Sequence, residues 1–396
     1  MGTETEQKIF NREFVVNCFA QFTFSFVSFI LIPTIPIYLS RFQAKEGEVG
    51  FLVGILSICS MIPRPFMGRA LQRLSERKFM MAGAILYSLS SFAYLWAFPF
   101  WPFLIVRILQ GVGLAFFSTA SFVLIANLAS GTYRGRIISY YYLSFNFAFA
   151  LAPYFGMLLI NHFNFTVLFL VCGGLSLCTS FTTAQLTKIQ GVSEENQAKK
   201  HQPLFTPEAF PPALIAFALN IIWGSLGAFI PLYALEHGIS NPGIFFAVYA
   251  IMLILSRGLG GRILDLYDRK KVIMLCLITI IVSMVMLVFS TTLFMLILVA
   301  IILGTGWGFV YPSLTLHLIE NSESTRRQAI SIFTALGDLG VGVGPMIMGI
   351  ILQWMGYSVM FSCLAFISTL NAVYFYYAIV KDTAEGRISK TNTDEL

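Results

Sequence analysis

Residues 334–344 read TALGDLGVGVG, one aspartate among glycines and apolar side chains. Of the 19 acidic residues, Asp338 alone sits deep inside a long apolar run. Desolvation disfavours an ionised carboxylate, so such a residue is able to take up and release a proton. It can equally grip a polar substrate, or serve as a packing acid hydrogen-bonded to a neighbour. Three arginines, Arg64, Arg107 and Arg257, also fall inside apolar runs. A guanidinium stays charged there and seeks an acid, a carbonyl or an anion. His317 and Glu320 lie three apart, on one helix face; Glu320 reads as a boundary acid and His317 as a group that can titrate. No serine, cysteine or histidine constellation suggests an enzyme. No His or Cys pair has metal-ligand spacing, and no phosphate-binding loop supports ATP-driven pumping. Neither a metal nor a cofactor is expected.

The elements that hold these residues are set by composition. Of 396 residues, 57% are hydrophobic and 11% charged, against about 25% charged in a soluble domain. Apolar runs long enough to cross a bilayer recur along the whole chain. Helices are expected, because barrel strands would alternate in polarity. Twelve spans are predicted, at 14–39, 48–71, 79–99, 101–128, 137–160, 165–187, 211–235, 241–264, 272–292, 294–319, 329–353 and 357–380. The first contains Asn17 and Gln21 and lacks a small-residue cleavage site, which reads as a retained helix. The six cysteines, Cys18, Cys59, Cys172, Cys178, Cys276 and Cys363, fall in spans and are expected as buried free thiols.

The net charge of +6 is a topology signal. Of the 25 Lys and Arg residues, 20 lie at the termini and in the loops between even and following odd spans; Arg41 and Lys45 lie on the other side. Basic loops stay in the cytoplasm, so both termini are expected there. No basic block resembles a nucleic-acid footprint.

The chain is written twice. PRPFMGRALQRLSERKFMM at 63–81 aligns with SRGLGGRILDLYDRKKVIM at 256–274, placing Arg64 on Arg257, Gly68 on Gly261 and Arg69 on Arg262. The stretch from Arg134 aligns with that from Arg326, placing Pro153 on Pro345 and Asn146 on Asp338. Gly111 and Gly113 meet Gly304 and Gly306. An all-α membrane protein of twelve transmembrane helices in two six-helix pseudo-symmetric halves follows. The halves are 1–187 and 211–396, joined by a polar cytoplasmic linker at 188–210.

This pattern resembles the major facilitator superfamily over nearly the whole chain. GRALQRLSERK and GRILDLYDRKK are similar to its signature after the second and eighth spans, and RILQGVG to its fourth-span signature. APYFG and GPMIMG resemble the Gly-Pro signature of its drug:proton antiporter branch. Gln72 and Ser75 depart from the usual aspartate and glycine, Ala152 from the usual glycine, and the first span lacks the acid of many drug antiporters. The resemblance implies alternating access without enzymatic activity, and assigns Arg107 with Gln110 to proton coupling beside Asp338. On the residues alone, Arg107 equally suits a brace on backbone carbonyls.

Transporter repeats place binding sites at the midplane, so Asn146 and Asp338 mark a central cavity, with Gln21, Asn220, Trp223 and Tyr311 as further lining. Gly68, Arg69, Arg64, Gly261, Arg262, Asp265 and Arg257 are expected to form a cytoplasmic gate, with Asp265 as its acid. Pro153, Gly156, Gly344 and Pro345, with Gly340, are expected to pack helices. The function expected is proton-coupled efflux of a small, partly apolar molecule by a monomer in the bacterial inner membrane. The alternatives are an uptake symporter, a facilitator, or a non-transporting sensor or assembly protein. With Arg107 and Asp338 as its ions the cavity would be near neutral, favouring a neutral, zwitterionic or weakly anionic solute.

Overall fold

The computed structural model describes residues 12–71, 74–97, 100–128, 134–186, 210–266, 268–321 and 326–381. For residues 65, 68–69, 134–136, 259–266, 269, 320–321, 326–328 and 379–381 it describes the backbone alone. Among the described residues the regular secondary structure is helical, joined by short turns. The helices are α1 (Arg12–Arg41), α2 (Glu46–Met61), α3 (Arg64–Ala70), α4 (Glu76–Ala93), α5 (Trp101–Leu128), α6 (Arg134–His162), α7 (Phe165–Ala184), α8 (Phe210–Glu236), α9 (Gly243–Leu266), α10 (Arg269–Val288), α11 (Leu293–Asn321) and α12 (Arg326–Phe375), followed by a π-helical turn at Tyr376–Lys381.

Among the described residues, eight helices are long and apolar enough to cross a membrane, and Gly243–Gly258 adds a shorter apolar stretch. Three local causes explain why this differs from the twelve expected spans. The segment predicted at 48–71 is two helices, α2 and α3, parted at Pro63, whose ring removes a backbone donor. Helix α4, of 18 residues, opens on three charged residues, Glu76, Arg77 and Lys78, which leave its apolar part short. The segments predicted at 329–353 and 357–380 run together as the 50 residues of α12.

That long run is divided by Gly356, whose φ of 79° lies in the left-handed region that glycine adopts without a steric cost. Before it, Gly340 lies against Phe217 and Gly344 against Ile221 of α8, so this segment runs parallel to α8. After it, Phe361 packs on Tyr233 and Asn371 donates to the Ile215 carbonyl, so the chain now runs the opposite way.

Packing repeats along the chain as the sequence does. Helix α4 packs on α5 and α7 as α10 packs on α11 and α12; α2 packs on α5 as α9 packs on α11. The main contacts between the two repeats are α2 with α12, α6 with α9, and α1 with α8. Lipid supplies no hydrophobic drive between helices, so close approach through small residues carries much of the association. Gly54 faces the Gly342 carbonyl, Gly50 the Pro345 carbonyl, and Gly349 the Glu46 carbonyl. A Cβ on Gly243 would stand 2.7 Å from the Pro153 carbonyl oxygen. Asn161 donates to the Ser240 carbonyl at 2.9 Å, and the Gly47 N–H to Gln353 Oε1 at 3.3 Å. All these contacts lie toward one end of the bundle, where α2 and α9 begin. The two repeats are locked together there, and the cavity lies on the far side of the lock.

Pro153, Gly156, Gly344 and Pro345 sit in such contacts. Gly156 lies against Ile30 of α1, and the Pro345 ring faces Gly224 of α8. All six cysteines are free; Cys172 and Cys276 are buried, whereas Cys178 is exposed on the outer face of the bundle.

Gly54→Val should therefore disrupt the α2–α12 lock, costing about 1–3 kcal/mol by overpacking and lowering the unfolding temperature of the purified protein. Gly174, with nothing within 4 Å of its Cβ position, is the control: Gly174→Ala should leave the melt unchanged. Equal melts for Gly54→Val and wild type would show that the approach is not close.

Candidate functional site

A cavity of about 380 Å³ opens beside the lock, lined from both repeats. Helix α3 supplies Arg64; α6 supplies Phe145, Asn146 and Phe149; α8 supplies Asn220 and Trp223. Helix α9 contributes Tyr249, Leu253 and Arg257, spaced four apart on one face, and α11 contributes Trp307 and Tyr311 with the same spacing. Helix α12 contributes Phe333, Thr334, Gly337 and Asp338. Thr334 and Arg257, toward the end away from the lock, are exposed.

Asp338 is not alone. The Arg64 guanidinium donates to its carboxylate in an ion pair between the repeats, with both side chains about one third exposed, 33% and 29%. The break at Pro63 starts α3 with Arg64 as its first residue, and the glycines around Asp338 leave room for its neighbours. Asn220 lies beside Gly337 and donates both to the Tyr311 hydroxyl and to the Ala216 carbonyl, the latter at 2.8 Å. Across the cavity, Arg257 Nη1 donates to Asn146 Oδ1 at 3.2 Å. The two repeat-related arginines thus each reach the repeat-related polar residue of the other half.

Arg64 and Arg257 line the cavity itself. Asp265 and Arg262 belong to α9, and Gly68 and Arg69 to α3, but the side chains of Asp265, Arg262 and Arg69 lie outside the described residues, as does that of Glu320. Gly261 likewise falls where only the backbone is described, and Gln72 is outside the described residues. His317, on α11, does not line this cavity.

A second cavity, of about 270 Å³, lies among α1, α2, α5 and α8. It shares Phe29, Phe145 and Trp223 with the first, so these rings form the partition between the two. Gln21, Ser25, Ser28, Ser57, Ser118 and Arg107 supply its polar groups. Arg107 is buried and braces α2: its Nε donates to the Leu52 carbonyl at 2.8 Å, Nη2 to the Val53 carbonyl at 3.2 Å, and Nη1 to Gln110 Oε1 at 3.0 Å. The Tyr94 hydroxyl donates to the same Gln110 oxygen at 2.5 Å. Gln21 is also engaged, accepting from the Tyr141 hydroxyl at 2.7 Å and donating to Ser25 at 2.7 Å.

Of the expected cavity residues, Asn146, Asn220, Trp223, Tyr311 and Asp338 share the larger cavity, while Gln21 and Arg107 share the smaller. Gln110 sits behind Arg107. The expectation of a near-neutral cavity changes, because Arg64 and Arg257 add two cations. Phe29, Phe145, Phe149, Tyr249 and Trp307 were not among the expected lining. The eight-residue spacing of Tyr249 with Arg257, two helical turns, and the four-residue spacing of Trp307 with Tyr311 are the sequence signal for two of them; the phenylalanines are lost among 39.

The family model described as Major Facilitator Superfamily matches residues 18–315 and 242–394. An MFS-type transporter of Methanocaldococcus jannaschii is 24% identical over 365 residues, covering 88% of this chain and 93% of its own. The staphylopine export protein of Staphylococcus aureus is 23% identical over 348 residues, covering 84% and 87% respectively. A crystal structure of a mutant of the nucleoside transporter NupG superposes with a TM-score of 0.79 at 14% identity, covering 93% of this chain and 100% of that one.

The Arg64–Asp338 contact should register as coupling in a double-mutant cycle. Arg64→Gln, Asp338→Asn and the double variant, compared by thermal unfolding, should give an interaction energy of about 0.5–3 kcal/mol, at the lower end because both groups are partly exposed. Strict additivity of the two substitutions would mean that the contact contributes nothing.

Proposed function

The chain belongs to the major facilitator superfamily, and we propose that it is a proton-coupled symporter for a small organic molecule. The superfamily consists of secondary transporters working by alternating access, not enzymes, and this chain is an integral multi-pass membrane protein. On the proposed reading it spans the membrane twelve times as two six-helix halves, 1–187 and 211–396, joined by 188–210. It acts as a monomer in a bacterial inner membrane with both termini in the cytoplasm. The locked end then faces outward, and the cavity opens to the cytoplasm.

The observation that carries the reading is the ion pair between Arg64 and Asp338. Asp338 already has an internal cation, so a cationic substrate would have to displace Arg64 to reach it. Protonating the carboxylate has the opposite effect. It removes the charge that holds Arg64 and releases that guanidinium to the cavity. Proton and substrate then assist each other's binding, and linkage makes the assistance mutual. Mutual assistance is the logic of symport, whereas antiport needs the two to compete. Breaking the pair also loosens α3 from α12 between the repeats, where alternating access requires movement.

Efflux is the second reading, and it rests on the similarity to the staphylopine export protein. Transport in proteoliposomes with an entrapped pH dye separates the two. For a symporter, adding a transported solute outside acidifies the lumen, and one pH unit supports about tenfold accumulation per proton. Movement opposite to the protons would establish efflux by exchange, and indifference to the gradient a facilitator. Asp338→Asn should lose the response to the gradient while retaining solute exchange. Gradient-driven accumulation by that variant would assign coupling elsewhere.

A further inference from the structure

The two crossed contacts are related by the repeat but differ in charge. Arg64 meets a carboxylate, Asp338; its counterpart Arg257 meets an amide, Asn146, at 3.2 Å. An amide oxygen satisfies one N–H and leaves the positive charge uncompensated, and a guanidinium has five donors to place. Among the described residues no acid pairs with Arg257, and Arg107 binds only carbonyl oxygens and Gln110. The described ions lining the two cavities are thus three arginines and one aspartate. A cleft with an excess of positive charge attracts anions.

The surroundings of Arg257 are aromatic. Tyr249, two turns earlier on the same face of α9, stacks on Trp223 with ring centroids 5.0 Å apart and planes 20° from parallel. Trp307 stands 6.2 Å from Trp223. These packed rings make one wall of the cavity aromatic, and Arg257 lies beyond them at the exposed end. Arginine matches a carboxylate or a phosphate through two parallel N–H bonds, and the single charge of a carboxylate balances the one guanidinium that has no acid beside it among the described residues.

We propose that the transported solute is an organic carboxylate with a planar ring, its carboxylate held by Arg257 and its ring seated against Trp223, Tyr249 and Trp307. This rests on the reading that the chain carries a solute through this cavity, and it explains the use of a proton. Uptake of a monoanion is opposed by an inside-negative potential, and one accompanying proton makes the step electroneutral.

Binding to the purified full-length protein, measured by calorimetry without any proton gradient, tests this with four probes that share one ring: phenylacetate, phenylacetamide, phenethylamine and phenyl phosphate. Phenylacetate should bind about tenfold or more tighter than the amide, the amine should not bind, and the phosphate should be weaker than the carboxylate. Arg257→Gln should abolish the preference for carboxylate over amide, and Arg257→Lys should retain part of it. Asn146→Asp gives Arg257 an internal partner and should weaken phenylacetate about tenfold, with gel filtration and melting temperature reporting that the fold persists. Equal binding of acid and amide, preference for the amine or phosphate, no binding by any probe, or wild-type affinity in Asn146→Asp would each overturn the proposal. Because no gradient is present, a failure of proton coupling leaves this result standing. Loss of carboxylate preference with coupling intact would reject this inference alone.

Discussion

A carboxylate in the middle of a helical bundle is costly to ionise unless a cation stands beside it, and the contact between Arg64 and Asp338 answers that constraint across the two repeats. The neighbouring features follow from it. The chain breaks at Pro63, so that α3 begins on Arg64 beside α12. Helix α12 carries Asp338 on a surface thinned by glycines, where Asn220 and Tyr311 come close. The pair is at once the electrostatic solution for one partly buried acid and a joint between the two repeats. Its partial exposure to the cavity leaves it reachable by protons.

Beyond the pair, the repeats meet backbone to backbone. Gly50, Gly54 and Gly342 let α2 and α12 approach until carbonyls face α-carbons, and Gly243 does the same for α9 against α6. These are short-range contacts with little tolerance for sliding, so they suit a fulcrum at one end of the bundle. Toward the opposite end, the polar contacts between the repeats among the described residues join single side chains, Arg64 with Asp338 and Arg257 with Asn146. On the proposed reading, one end is held by shape and the other by charge, and only the second responds to a proton.

Much of this was legible in the sequence. The fixed offset between PRPFMGRALQRL and SRGLGGRILDLY, and the alignment of Asn146 with Asp338, named all four members of the crossed contacts before their partners were known. What the alignment did not give was the pairing itself. A repeat relates a residue to its counterpart, whereas contact across a pseudo-two-fold axis joins it to a different residue of the other half. From the sequence, Arg64 and Arg257 are thus expected to brace a cytoplasmic gate and are not counted among the charges of the cavity that they line, which is why near neutrality is expected. The division of the segment predicted at 48–71 was also missed, although Pro63 marks it. Gln21, expected in the central cavity, and Arg107, expected in proton coupling, both line the smaller chamber behind Phe29, Phe145 and Trp223, because hydropathy does not record which side of an aromatic partition a residue faces.

The central claim is that protonation of Asp338 releases α3 from α12 at the end away from the lock. Spin labels at Leu74 and Ser331, one beyond each partner of the ion pair, in a background with the six native cysteines replaced, would report the separation of the repeats there. The account predicts that acidification shifts the wild-type distance distribution, and that Asp338→Asn holds the shifted distribution at every pH. A pH response in Asp338→Asn equal to that of the wild type, or no response in the wild type, would contradict it.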